Sequence, residues 1–252
     1  MQYVAVSALS HEGLVRDHNE DSLVVGPWTT CATVTQTPET LFFPLTDPLV
    51  IAVADGLGGH SAGEVASTLV VQELARSGHT LTDESSVRAA LETCNEAVYD
   101  AAERRPDWGG MGTTVAGLVA SESGVLVFNV GDSRVYAFDE DGLTQLSVDD
   151  NPPLAPGETH TSVLTQTMGG HPRDRAIEPH LATHDRAAAR SFLVCTDGLS
   201  DVVDADAITS VLDAHHGQQA AYELWRAAVE AGGPDNITLL LVEFGTSDDT
   251  DG

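Results

Sequence analysis

Lysine is absent from this 252-residue sequence; all eleven basic residues are arginines, set against thirty-nine Asp and Glu for a formal net charge of -28. A field of that sign repels phosphate backbones and anionic membrane surfaces, which argues against nucleic acid or a membrane as partner. Two divalent cations would cancel only about four of these charges, so the rest form a solvated acidic surface. Two explanations of that surface stay open: a Lys-poor, high-GC genome, or a high-salt cytoplasm that screens the self-repulsion. Cysteine is scarce, and Cys31, Cys94 and Cys195 stand far apart with no CxxC pair. That excludes a disulfide framework or a zinc–thiolate site and points to a reducing cytoplasm. Aromatic residues make up 5% of the chain, so Ala, Val and Leu must fill the core. The longest apolar runs, such as Leu49–Ala54 and Val125–Phe128, fall far short of the roughly 20 residues of a membrane span. The first residues show neither the basic nor the apolar region of a signal peptide. Together these absences predict a cytoplasmic protein.

What is present is a series of short apolar segments and two pairs of helical ones. Strand-like runs cover Ser22–Gly26, Leu49–Ala54, Thr113–Ala120, Val125–Val130, Arg134–Phe138, Phe192–Cys195 and Ile237–Phe244. Apolar residues recur at helical spacing over Ser61–Arg76 and Asp83–Ala102, the latter with Asp83 as N-cap, and again over Ala205–Ala214 and Gln218–Ala231. Ser123-Gly124 and Asp141-Gly142 are hairpin signals. Strands grouped this way, with helices in pairs, predict an α+β fold: two packed antiparallel sheets with antiparallel helix pairs outside, in α-β-β-α layers. One domain is expected over residues 1–244. The Pro-rich stretch 148–165 reads as a surface loop or flap, and the acidic residues 245–252 as a disordered tail.

Acidic residues recur at the ends of the apolar runs. Asp55-Gly56 follows Leu49–Ala54, Asp197-Gly198 follows Phe192–Cys195, Asp132 follows Val127–Val130, and Asp235-Asn236 precedes Ile237. A carboxylate at a strand end is held on a rigid element yet points into a loop cavity. A single Asp-Gly there is ordinary turn chemistry; four, joined by Glu20-Asp21, are not. If these acids converge, their charges need cations. A donor set of carboxylate, carbonyl and water suits Mg²⁺ or Mn²⁺ rather than Zn²⁺. Two such ions about 3.5–4 Å apart clamp a phosphoryl group and generate a nucleophile from water. Arg16, four residues before Glu20, offers a bidentate fork for phosphate oxygens. None of the ten histidines shows metal-ligand spacing on a helix; His180 and His184 follow Pro179 in a short polar stretch and read as structural.

Several segments then carry a specific resemblance. Gly13-Leu14-Val15-Arg16-Asp17-His18-Asn19-Glu20-Asp21, Asp55-Gly56-Leu57-Gly58-Gly59-His60, Gly110-Met111-Gly112-Thr113-Thr114, Asn129-Val130-Gly131-Asp132-Ser133-Arg134, Leu143–Asp150, Leu164–Gly170, Thr196–Asp201 and Asp235-Asn236-Ile237-Thr238 resemble, in order, the motifs of the PPM/PP2C protein serine/threonine phosphatases in their bacterial form. The resemblance spans about residues 3 to 244. It implies hydrolysis of phosphoserine and phosphothreonine in proteins by water activated at a binuclear Mn²⁺ or Mg²⁺ centre. Asp55 would bridge both ions and act directly in catalysis. Asp197 and Asp235 would complete the shell of the first ion, and the Gly56 carbonyl, Glu20 and Asp21 would serve the second. Asp132, with Asp197 or Asp201, would bind a weaker third ion; Arg16 would bind the substrate phosphate, and Asn236 would orient Asp235 without touching a metal. The partners implied are phosphorylated proteins made by a Ser/Thr kinase, acted on by a monomer. Two departures stand out: Leu57 occupies the place where many eukaryotic members carry a His proposed as general acid, and Asp149-Asp150 replaces Asp-His. Three readings compete: a catalytically silent binding domain, disfavoured because every ligand position is filled; a partner-switching regulatory phosphatase acting on one dedicated anti-sigma-antagonist-like protein, against which the bare catalytic length weighs; and a metal-dependent nuclease, disfavoured by the missing basic surface.

Overall fold

The strand Leu49–Ala54 explains the architecture, because each of its six side chains is buried. Leu49, Ile51 and Val53 point into one apolar cluster and Val50, Ala52 and Ala54 into another. A strand with no polar face must be covered on both sides, and here a second sheet covers one side and helices the other. The computed structural model describes residues 1–58, 62–153, 161–171 and 176–246. In chain order the strands are β1 Gln2–His11, β2 Ser22–Val25, β3 Trp28–Cys31, β4 Glu39–Pro44, β5 Leu49–Ala54, β6 Gly56–Leu57, β7 Gly112–Thr113, β8 Val115–Ser121, β9 Gly124–Val130, β10 Arg134–Asp139, β11 Gly142–Gln145, β12 Met168–Gly169, β13 His180–His184, β14 Ser191–Cys195 and β15 Ile237–Thr246. The helices are α1 Ala62–Ser77, α2 Glu84–Arg104, α3 Asp197–Ser200, α4 Ala205–Ala214 and α5 Gly217–Glu230.

Two six-stranded antiparallel sheets form, ordered β11-β10-β14-β15-β1-β4 and β13-β9-β8-β5-β2-β3, with a small sheet β12-β7-β6 beside them. Alternation along each central strand divides the core into three. Ile51, Leu118 and Val127 meet Val6, Val194 and Leu240 between the sheets. Val70, Leu74, Leu91 and Val98 of α1 and α2 pack on Val50 and Phe128. Leu212 and Leu224 of α4 and α5 pack on Leu193, Leu239 and Leu241. These are the expected α-β-β-α layers. Truncating Ile51, fully buried at the inter-sheet core, to Ala would cost about 2–5 kcal/mol.

Local signals behave as their chemistry requires. Asp83 caps α2: its carboxylate accepts from Ser86 N at 2.8 Å while Ser86 Oγ accepts from Asp83 N at 3.1 Å, a box worth about 1 kcal/mol. The two hairpins close at Ser121–Gly124 and Asp139–Gly142. Cys195 is fully buried, and burial pushes its thiol up to about 12. β15 runs past the expected limit at 244 to Thr246, because Tyr3 and Gln2 of β1 pair with Gly245 and Thr246. The rest of the tail, 247–252, and residues 154–160 of the flap stretch lie outside the described residues. Among the described residues no helix is long and apolar enough to cross a membrane.

Candidate functional site

Strand register gathers the strand-end acids. Ala54 pairs with Ser22 and Val53 with Ala116, while Val115 pairs with Val130. Asp21, Asp55 and Asp132 therefore leave one end of one sheet. In the other sheet Cys195 pairs with Leu239 and His11 with Ile237, which places Asp197 and Asp235 at an end as well. Contacts across the sandwich show that the two ends coincide. Thr196 Oγ1 donates to Asp21 Oδ2 at 3.0 Å, Glu20 N donates to Asn236 Oδ1 at 2.8 Å, and Arg16 Nη2 meets Asp235 Oδ2 at 2.8 Å.

The surrounding side chains fix this arrangement. Asn236 Nδ2 donates to the carbonyls of Glu12 and His18, and Asp235 Oδ1 accepts from Asn236 N at 2.8 Å. Asn236 thus ties the Arg16–Glu20 segment to the start of β15. Asp55 is held by its backbone: Thr114 Oγ1 accepts from Asp55 N at 3.2 Å, and Thr113 Oγ1 donates to Asp55 O at 2.7 Å. Gly56 and Gly63 permit the closest approach. A Cβ on Gly56 would lie 2.4 Å from Gly63 O and 2.6 Å from Glu20 O, and one on Gly63 would lie 2.9 Å from Glu20 Oε1. Only hydrogen fits there.

Burial and mutual repulsion make these acids hard to ionise. Asp21 is completely buried, and burial, opposed by hydrogen bonds from Thr238 and Thr196, pushes its carboxyl up to about 8. Asp55 is raised well above the usual carboxylate range by burial and then by the charges of Asp21, Asp197 and Asp235. Asp197 rises to about 7 through burial and the charges of Asp132, Asp235 and Asp201. Asp132 and Glu20 are raised too, both chiefly by burial; Asn151 opposes the shift at Asp132 and His18 at Glu20.

As the side chains stand, no three acidic, His or Cys groups among the described residues close on one point as a ready ligand set. Asp235 is turned to Arg16, and Asp55 and Asp197 act on each other's charge. The donors nevertheless fit a hard cation. Asp21 Oδ1 and Asp197 Oδ1 are buried without any hydrogen-bond partner, and Glu20 Oε1 faces only the His18 imidazole, at 3.4 Å. Buried carboxylate oxygens without donors are costly unless something positive faces them, and the strand-end donors are all oxygen, the set a hard cation takes.

The acids expected to hold cations lie at this end of the sandwich, with Asp132 and Asp201 near Asp197. The supporting hydroxyls were not foreseen. Thr113, Thr114 and Thr196 lie in segments noted only for their resemblance. Glu64, in the first turn of α1, also reaches the site: the His18 imidazole stands 3.4 Å from Glu20 and 3.8 Å from Glu64. His180 and His184 form part of β13, an edge strand paired with β9.

A sequence model of the family described as "Protein phosphatase 2C" matches residues 29–231. The serine/threonine protein phosphatase PstP of Mycobacterium tuberculosis is 32% identical over 255 residues, covering 94% of this chain and 44% of that protein. The serine/threonine phosphatase stp of Listeria welshimeri is 29% identical, covering 92% of each. Among solved structures, the catalytic domain of PstP in complex with two manganese ions superposes with a TM-score of 0.78 at 30% identity, over 98% of this chain and all of that one. The fold and the ordered acids define a phosphatase architecture, and the chain belongs to the protein phosphatase 2C family. It spans a little under half the length of the first relatives it matches.

Proposed function

We propose that this chain hydrolyses phosphoserine and phosphothreonine esters in proteins with the help of two divalent cations, Mn²⁺ or Mg²⁺. The observation that carries the reading is the pair of partnerless buried oxygens of Asp21 and Asp197 among acids that raise one another's pKa. The manganese-bound relative lends it support. Asp55 would bridge the two ions, with Asp197 and Asp235 on the first and the Gly56 carbonyl, Glu20 and Asp21 on the second. Asp132, with Asp197 or Asp201, would take a weaker third ion. When bound, such a pair neutralises phosphate charge and brings the pKa of water toward neutrality.

The chain's own residues do the rest. Arg16, half exposed at the rim, binds the phosphate oxygens and orients the ester. Asn236 holds Asp235 and the Glu20 backbone in register. Thr113, Thr114 and Thr196 fix the Asp55 backbone and the Asp21 carboxylate. Leu57 has no ionisable group, so the leaving alkoxide takes its proton from something other than that position.

The same reading makes residues 1–244 one catalytic domain, monomeric and cytoplasmic, that reverses a Ser/Thr kinase in signalling. The test is hydrolysis of p-nitrophenyl phosphate and of a phosphothreonine peptide with Mn²⁺, Mg²⁺ or EDTA. Turnover with either ion and its loss in EDTA are expected; full activity in excess EDTA would sink the metal assignment.

A further inference from the structure

Two consecutive residues in the first leg of the flap stretch collect bonds from three directions. Residues 148–151 run beside residues 129–132. Val148 N donates to Asn129 Oδ1 at 3.1 Å, Gly131 N donates to Asp150 Oδ2 at 2.8 Å, and Asn151 Nδ2 donates to Asp132 Oδ2 at 3.2 Å. The second leg fastens onto the same two residues. Asp150 O accepts from Thr165 N at 2.7 Å, and Asp150 Oδ2 accepts from Gln166 Nε2 at 2.9 Å. Asn151 Nδ2 also donates to Val163 O at 3.0 Å and Thr161 O at 3.4 Å. Asp150 Oδ1 is anchored in turn to His180 Nε2 of β13 at 2.9 Å. The histidine that the resemblance leads one to expect at position 150 is thus replaced by an acid that takes an imidazole from a neighbouring strand.

One amide therefore spans the Asp132 carboxylate and two carbonyls of the opposite leg. An amide nitrogen has two N–H groups for three acceptors, so how strongly it holds the leg depends on how Asp132 is oriented. We propose that Asn151 is a positioning residue. It fixes the Asp132 carboxylate for a divalent cation and, by the same bonds, makes cation binding at Asp132 tighten residues 161–166 of the flap. The inference rests on the reading of Asp132 as an outer cation ligand. Linkage requires the converse as well: whatever orders that leg raises the affinity of the outer site. The exposed Val148 and Val163 lie on the two clasped legs, so a bound phosphoprotein touching them would be sensed at Asp132.

The experiment is hydrogen exchange by mass spectrometry on the whole chain, metal-free and with saturating Mn²⁺, with calorimetry of the same samples to establish binding. In the wild type Mn²⁺ should slow exchange in peptides covering 161–166 by roughly five- to tenfold, the low end of ordinary coupling. Asn151→Asp keeps the shape and loses both donors, so it should bind the core ions yet lose that slowing. Asn151→Gln retains a donating amide and should recover part of it, whereas a merely space-filling role predicts that Asn151→Asp behaves as wild type. Wild-type exchange indifferent to bound Mn²⁺, or an equal response in Asn151→Asp, overturns the linkage and leaves the phosphatase reading standing. Failure of Mn²⁺ to bind at all overturns both.

Discussion

Arg16 and Asp235 form an ion pair, Nη2 to Oδ2 at 2.8 Å, between two groups assigned to different tasks. One is proposed to bind substrate phosphate and the other a cation. In the absence of both ligands each neutralises the other, so the guanidinium competes with the cation for one carboxylate. Arg16→Ala removes charged hydrogen bonds to phosphate worth roughly 1.5–3 kcal/mol, which predicts a KM for p-nitrophenyl phosphate raised roughly 10- to 100-fold with a smaller change in kcat. It should leave Mn²⁺ affinity intact or tighter, because Asp235 loses its competitor. Markedly weaker Mn²⁺ binding in titration calorimetry, or an unchanged KM, would count against the assignment.

Asp55 and Asp197 combine burial with mutual repulsion, a cost that a protein retains for function rather than stability. Asp55→Asn and Asp197→Asn should therefore act in opposite directions on two readouts. Activity with Mn²⁺ should fall by several kcal/mol of transition-state stabilisation, roughly 10²–10³-fold. The melting temperature in EDTA should rise, because a repelling buried carboxyl has become a neutral amide of the same shape. A lower melting temperature in EDTA would show that these side chains are structural supports.

Much of this site was readable before the fold was known, for a physical reason. Leu49–Ala54 and Phe192–Cys195 are apolar on both faces, so the acids that end them interrupt unmistakable strands. The elements missed had less contrast. β1 alternates Val with Ala and Ser, and its buried Ser7 and Ser10 bond to Thr40, Thr238 and Asn19. β4 and β13 are edge strands, half wet and partly polar. The hydroxyls that brace the acids gave no signal, since a Thr beside an Asp is common and its use depends on a strand from the other sheet. The flap clasp was equally hidden: Asp150 looked like a departure, and its partner His180 lies thirty residues away.

Asp21 supplies a pH test. Its folded-state pKa, about 8, stands above the ordinary carboxylate value because burial disfavours the charge. A raised acid stabilises the fold fully below the unfolded pKa and loses that contribution as pH climbs through the folded one. Asp197, at about 7, shifts the same way. Metal-free protein should therefore lose stability between about pH 4 and pH 8, and Asp21→Asn should flatten part of that slope. Mn²⁺ should raise the melting temperature more at pH 8 than at pH 6, since binding displaces these protons. Urea titrations at several pH values check this; an identical slope in Asp21→Asn would refute the role of Asp21.

The lysine-free surface makes a separate prediction. With eleven arginines against thirty-nine acids, ion pairs such as Arg76–Glu73 at 2.7 Å offset only a small part of the self-repulsion, each contributing at most about 1 kcal/mol. Salt weakens both effects, since the screening length falls from about 30 Å at 0.01 M to about 3 Å at 1 M. The repulsion involves many more pairs at long range, so its screening should dominate. The melting temperature in EDTA should rise as KCl goes from about 0.01 to 1 M, with most of the gain at the low end, where the screening length changes fastest. KCl suits the test better than a sulfate salt, which would strengthen apolar burial independently of charge. A flat or falling profile would show that the acidic surface carries no appreciable repulsive strain, and would remove the case for adaptation to a high-salt cytoplasm.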